Sequence, residues 1–173
     1  MELIIDVINH LEEAKDYIEL VDKLVQPQTT YLDTLISDVK DIIKQPDYTI
    51  DIDVLQTYYL KLSTELYNMV DKSKQFEIYS SLAKVNETES YNNAYLVEMT
   101  STEGKKPTVK ELEIRAETKA KKEKLVNAVY ASAFKTIKSK IDAGNMIADT
   151  LKNIIKVRIN VDFTTNQVSM RGN

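Results

Sequence analysis

The strongest constraint on this 173-residue chain is how rarely it can turn. It contains only three glycines and three prolines. A many-stranded sandwich or barrel needs turn residues at most of its connections. Gly104, Gly144 and Gly172 stand far apart, so no phosphate-cradling glycine loop exists by motif. Pro27, Pro46 and Pro107 cut the chain into long stretches. Within them, apolar residues recur at steps of three and four, the period of a helix. Apolar residues are 43% of the whole, too many for a disordered chain. The expected fold is mainly α: a helical hairpin, two long coiled-coil-like helices and a small C-terminal β hairpin.

The elements follow from the apolar spacing. Ile4, Ile8, Leu11, Ile18, Val21 and Val25 predict a first helix from about Glu2, stopped by Pro27. Thr30 is the expected cap of a second, carrying Leu32, Leu35, Ile36, Val39, Ile42 and Ile43 up to Pro46. These two short helices form the hairpin of residues 1–46. A third helix starts at Asp51 or Asp53, with Leu55, Tyr59, Leu62, Leu66, Met69 and Phe76 as its seam, and reaches about Met99. Its stretch around residues 86–95 is polar and needs a partner or it frays.

Residues 100–107 are the clearest break, joining small polar residues with Gly104 and Pro107. Thr108 and Glu111 then have the spacing of a capping box, in which each side chain satisfies the other residue's backbone N–H. One helix is expected from Val109 to about Val157, roughly 70 Å at ~1.5 Å per residue. Glu111 with Arg115 and Glu117 with Lys121 are favourable i,i+4 pairs along it. Val126, Tyr130, Ile137, Ile141, Leu151 and Ile155 lie on its seam, spaced as in a coiled coil. An open seam on so long a helix predicts a homo-oligomer. The division expected is 1–46 for the hairpin, 47–157 for the long-helix core and 158–173 for the tail. In the tail, Val157, Ile159, Val161 and Phe163 alternate with polar residues as in a strand, and Val168 and Met170 form the return.

Few residues suit catalysis. Without cysteine there is no disulfide, thiolate nucleophile or thiolate metal site. His10 is the sole histidine and has no second histidine to complete a zinc site. Asp51-Ile52-Asp53 resembles a metal-binding pair, but its place at a helix start favours capping. The expectation is a non-enzymatic protein with no cofactor. Tyr58, Tyr59, Tyr67 and Tyr79 recur at helical spacing and read as core. Tyr91 and Tyr95 are better placed for stacking on bases, although Glu87, Glu89 and Glu98 beside them repel phosphate.

Charge carries the clearest functional signal. The net charge of −4 hides a balance of −12 over residues 1–103 and +8 over residues 104–173. Lys105, Lys106, Lys110, Arg115, Lys119, Lys121, Lys122 and Lys124 fall within twenty residues. Three readings of this run stand side by side. It is a solvated helix face balanced by Glu111, Glu113, Glu117 and Glu123; or it docks on the acidic half of this or another copy; or it neutralises phosphates, with affinity falling as salt rises.

The stretch from Tyr91 to Lys156 resembles small helical proteins from the recombination modules of tailed phages. The layout rests on Gly104-Lys105-Lys106-Pro107-Thr108, Glu111, Ala116, Asn127-Ala128-Val129-Tyr130 and Ile154-Ile155. It is similar to that of UvsY-type recombination mediators, which are non-enzymatic oligomers. The resemblance implies binding of single-stranded DNA, with a recombinase and a single-strand binding protein as further partners. In the mediators the helix before the loop ends in basic residues. Here Ala94-Tyr95-Leu96-Val97-Glu98 stands in that place, which moves the implied DNA contacts past the loop to Lys105, Lys106, Lys110, Arg115, Lys119 and Lys122. Other classes stay open: a protein-binding module, such as a phage adaptor or a host-defence inhibitor using the acidic half, or a structural virion component. The N-terminus lacks a signal-peptide pattern and no stretch reaches the roughly 18 apolar residues of a membrane span. The expected location is the cytoplasm, that of the host cell if the chain is phage-encoded, away from the membrane.

Overall fold

The structure, a computed structural model, describes the backbone of residues 2–45, 50–100 and 107–171 and the side chains of residues 15–45, 50–100 and 107–161. It is mainly helical. The elements are α1 (Glu2–Ile43), α2 (Ile52–Thr100), α3 (Val109–Lys119) and α4 (Lys121–Arg171). The chain divides into two compact units. Unit 1 comprises Met1–Val25 and Ser73–Thr136, and unit 2 comprises Gln26–Lys72 and Ile137–Asn173. Each draws on stretches distant in sequence, where the sequence reading set consecutive blocks 1–46, 47–157 and 158–173. The charge imbalance along the chain is thereby folded together. Unit 1 joins −5 from residues 1–25 to +2 from residues 73–136, and unit 2 joins −4 from residues 26–72 to +3 from residues 137–173.

Three expected boundaries are corrected. Pro27 does not end a helix; it lies inside α1, so the N-terminal hairpin of two short helices is one continuous helix. An interior proline costs about 3 kcal/mol relative to alanine. The buried stripe of Val21, Val25, Leu32, Leu35 and Val39 runs past it, and burial on both sides outweighs the local penalty. Thr30 does not cap: its hydroxyl donates to the Gln26 carbonyl at 2.7 Å, and Thr34 does the same to Thr30 at 2.9 Å. The single helix expected over residues 109–157 is instead α3 and α4, separated at Ala120. The Thr118 hydroxyl bonds back to the Ile114 carbonyl at 2.8 Å, a contact that bends helices. The C-terminal β hairpin is replaced by helix, since α4 continues to Arg171. A strand in this tail needs a neighbouring strand, whereas a helix already begun adds one bond per residue, and residues 145–171 hold neither Gly nor Pro to stop it.

The starts predicted at Asp51 and at Thr108 hold. The Asp51 carboxylate accepts the Asp53 N–H at 3.0 Å and caps α2. The capping box forms: the Thr108 N–H donates to Glu111 Oε2 at 2.7 Å and the Glu111 N–H to Thr108 Oγ1 at 3.3 Å.

In unit 2, Val39, Ile50, Leu55 and Leu151 form a buried cluster with Ile154, Ile155, Tyr58 and Tyr59 packed against it. Leu32, Leu62, Met69 and Ile137 are fully buried in the same unit. Gly144 is small for a packing reason: a Cβ there would lie 2.6 Å from Leu66 Cδ2 and 3.5 Å from Leu32 Cδ1. Unit 1 is built on smaller side chains. Ala83, Ala94, Ala116, Ala120 and Ala133 are buried, together with Phe76, Leu112 and Val129.

Candidate functional site

The basic run lies in unit 1, and its six predicted contact residues separate into distinct environments. Lys105 and Lys106 fall outside the described residues. Lys110 is exposed, in the first turn of α3. Arg115 and Lys119 converge on one carboxylate: Arg115 Nη1 lies 2.9 Å from Glu98 Oε2, and Lys119 Nζ lies 2.7 Å from Glu98 Oε1. The hydrogen bond from Lys119, then that from Arg115, holds the Glu98 carboxyl below the usual glutamate range. Arg115 therefore pairs across to α2 rather than with Glu111, as the i,i+4 reading expected.

Lys119, Lys121 and Lys122 line an open furrow of about 570 Å³ in unit 1, together with Asp16, Tyr17, Leu20, Thr118 and Leu125. The break at Ala120 bears on this. It falls among the three lysines, between the end of α3 and the start of α4. Leu20 and Leu125 remain 44% and 47% exposed and give the furrow an apolar lining. Tyr17 is held in place by its hydroxyl, which donates to the Ala128 carbonyl at 2.8 Å and meets the Ser132 hydroxyl. The result is a cationic edge beside apolar and aromatic surface, suited to a ligand with anionic groups on one side and flat apolar groups on the other. Lys121 belonged to the basic run but not to the six expected contacts, and Tyr17, Leu20 and Leu125 were not singled out from sequence, because α1 meets residues 118–125 only in the fold.

The other tyrosines are placed differently. Tyr91 and Tyr95 stack on each other with ring centroids 6.3 Å apart. Burial, then Glu113 and Glu117, raises the Tyr91 phenol pKa. Those carboxylates make the pair a poor platform for a phosphate-bearing ligand. Tyr79 and Tyr130 pack with Phe76 at centroid distances of 6.0 and 6.4 Å, and with each other at 5.6 Å. Tyr67 and Tyr79 are 76% and 46% exposed, contrary to their reading as core.

The α4 seam expected to wait for another subunit is largely filled by the chain itself. Ile137 and Leu151 are fully buried, Ile155 packs on the unit 2 cluster, and Ile141 is half-buried. Tyr130 meets α2 aromatics, and Val126 is 40% exposed. The long helices α1 and α2, packed against α4, satisfy a coiled-coil pattern as well as a second copy does.

Among the described residues, no three His, Cys, Asp or Glu side chains stand together to hold a metal ion. Among them, no helix is long and apolar enough to cross a membrane. Compared with family models, curated proteins and solved structures, the chain matches none of them.

Proposed function

We propose that the chain is a non-enzymatic binding protein for single-stranded DNA, using the furrow of unit 1. The observation that carries this is the alignment of Lys119, Lys121 and Lys122 beside Tyr17, Leu20 and Leu125. Lysines track a phosphate backbone while aromatic and apolar groups receive unstacked bases, without reading their sequence. Arg115 adjoins Lys119 through Glu98, which compensates both in part. The phage-mediator layout belongs to this proposal. Its supports are the polar break at residues 100–107, the capped α3 after it, and the basic residues that follow.

Fluorescence anisotropy of a labelled oligodeoxythymidine tests the reading. Binding is expected at low salt. Three lysine–phosphate contacts on a single strand give a slope of log affinity against log salt of about −2. Replacing Lys119, Lys121 and Lys122 together with Glu should remove binding. No binding by the intact chain at low salt, or equal binding by the triple variant, contradicts the proposal.

A protein-binding module is the second reading, favoured by the uncovered apolar residues of α2 in unit 1, with Leu96, Val97 and Met99 all more than half exposed.

A further inference from the structure

Between residues 76 and 99, α2 carries two apolar faces rather than one. The inner face, with Phe76, Ala83 and Ala94, is buried in unit 1. The outer face carries Ile78 (57% exposed), Leu82 (57%), Val85 (52%), Leu96 (52%) and Met99 (55%). These positions follow a seven-residue repeat, alternating steps of four and three, with Glu89 and Asn92 occupying the two middle places. Such a seam on the solvent side of a helix already packed on its other side calls for a second helix.

We propose that this outer face pairs antiparallel with the same face of a second copy of the chain. The occupant is identified by the seam's own complementarity. In an antiparallel pair the two kinds of seam position face each other. One register sets Leu82 against the partner's Met99, Val85 against the partner's Leu96, and Glu89 against the partner's Asn92. Every apolar residue from Leu82 to Met99 then meets an apolar one. The two polar places meet each other twice, the Asn92 amide donating to the Glu89 carboxylate. Sliding the helices by one heptad sets Leu82 on Asn92 and Val85 on Glu89, or Met99 on Glu89 and Leu96 on Asn92. A parallel pair places Glu89 on Glu89, a like-charge contact.

The flanks agree. Tyr79, Ser81, Asn86, Thr88, Asn93 and Tyr95 border the seam, and none is charged. A face meeting its own copy meets its own charges, so uncharged borders suit self-pairing, whereas a charged partner would select complementary ones. Leu82 also lines a furrow of about 300 Å³ with Tyr79, Asn86 and Val126, whose far wall carries Lys122 and Glu123, a pair of opposite charges. That furrow has room for the partner's Met99 side chain. This furrow shares Lys122 with the lysine furrow, but the seam residues of α2 line only the former, and the pairing does not depend on DNA binding.

The absence of cysteine from the chain makes the test direct. Val85→Cys and Leu96→Cys chains are oxidised separately and as a mixture. The proposed register brings the thiol introduced at position 85 of one copy to the thiol introduced at position 96 of the other. The mixture therefore forms a covalent dimer and each chain alone does not. Like positions in this pair lie eleven residues apart along α2, about 16 Å, beyond the ~7 Å reach of a disulfide. Cross-linking of each chain alone as efficiently as the mixture, or no cross-linking at all, overturns the proposal. Light scattering with the Leu82→Glu and Val85→Glu double variant is the second arm. Association of the wild-type chain that is lost in the variant, with helicity unchanged by circular dichroism, supports the pairing. A wild-type chain that stays monomeric at every concentration overturns it and leaves the face to another kind of partner, as does a variant that associates equally well.

Discussion

The two units solve the same packing problem with different side chains. Among the described residues, five of the ten buried apolar side chains of unit 1 are alanine, against one of eleven in unit 2. Alanine lets helices approach closely but removes little apolar area from water, at roughly 25 cal/mol per Å². Unit 2 places Leu32, Leu55, Leu62, Met69, Ile137 and Leu151 inside, all fully buried. Unit 1 leaves Ile78, Leu82, Val85, Leu96, Met99, Ile114 and Leu125 at the surface. Unit 2 exposes large apolar side chains as well, among them Leu60, Tyr67, Met146 and Val157, so the contrast lies in the cores. Unit 2 buries the larger side chains, and unit 1 carries the lysine furrow.

Substitutions can break this contrast. The largest effect is expected in unit 2: Leu62→Ala should cost 2–5 kcal/mol, roughly the range for a fully buried leucine, read by urea denaturation. Ala116→Gly, at a fully buried site of unit 1, should cost only about 1 kcal/mol. A loss at Ala116 matching that at Leu62 would erase the distinction. Gly144→Val is next, at about 1–3 kcal/mol, since its Cβ would lie 2.6 Å from Leu66 Cδ2 and the Leu66 side chain must shift. Thr108→Ala removes the cap of α3 and should cost about 1 kcal/mol. Recovery of that loss in a Thr108→Ser variant would tie it to the hydroxyl.

Glu98→Gln should have the smallest effect on stability and the most informative one on pH and binding. The folded Glu98 carboxyl titrates below the ordinary glutamate value of 4.5. Its contribution is therefore present above that value and lost as pH falls through the lower folded one. Glu111 behaves alike, through its bonds to the Thr108 backbone and then its hydroxyl. Thermal melts should show a shallower acid loss in Glu98→Gln than in the wild type. The same change frees Arg115 and Lys119, so affinity for the oligonucleotide should rise at neutral pH. Unchanged or weaker binding would mean that these cations take no part.

What could be read from the residues was mostly local. Thr108 with Glu111, Asp51 before α2, and the run Leu55, Leu62, Leu66, Met69 each depend on neighbours within a turn or two. What escaped reading depends on the rest of the fold. Pro27 carries a stop signal that burial of Val25 and Leu32 overrides. Ala120 marks a break that no Gly or Pro announces. The alternation at residues 157–163 looks like a strand only until the need for a partner strand is counted. Glu98 lies 17 and 21 residues from the cations it binds, beyond any helical spacing. The polar stretch of α2 does find its partner, since the Asn127 amide donates to Glu87 at 2.6 Å. The outer face was hidden because two opposed apolar stripes on one helix cancel the pattern that one alone produces.

The division of labour between the units has one direct test, hydrogen exchange of the chain with and without a single-stranded oligonucleotide. In the free chain, amides around Leu62 and Ile137 should exchange more slowly than those around Ala83 and Ala116. On binding, new protection should appear at residues 16–20 and 118–125 and leave unit 2 unchanged. Equal protection of the two cores, or oligonucleotide-induced protection centred on residues 137–151, would contradict the account.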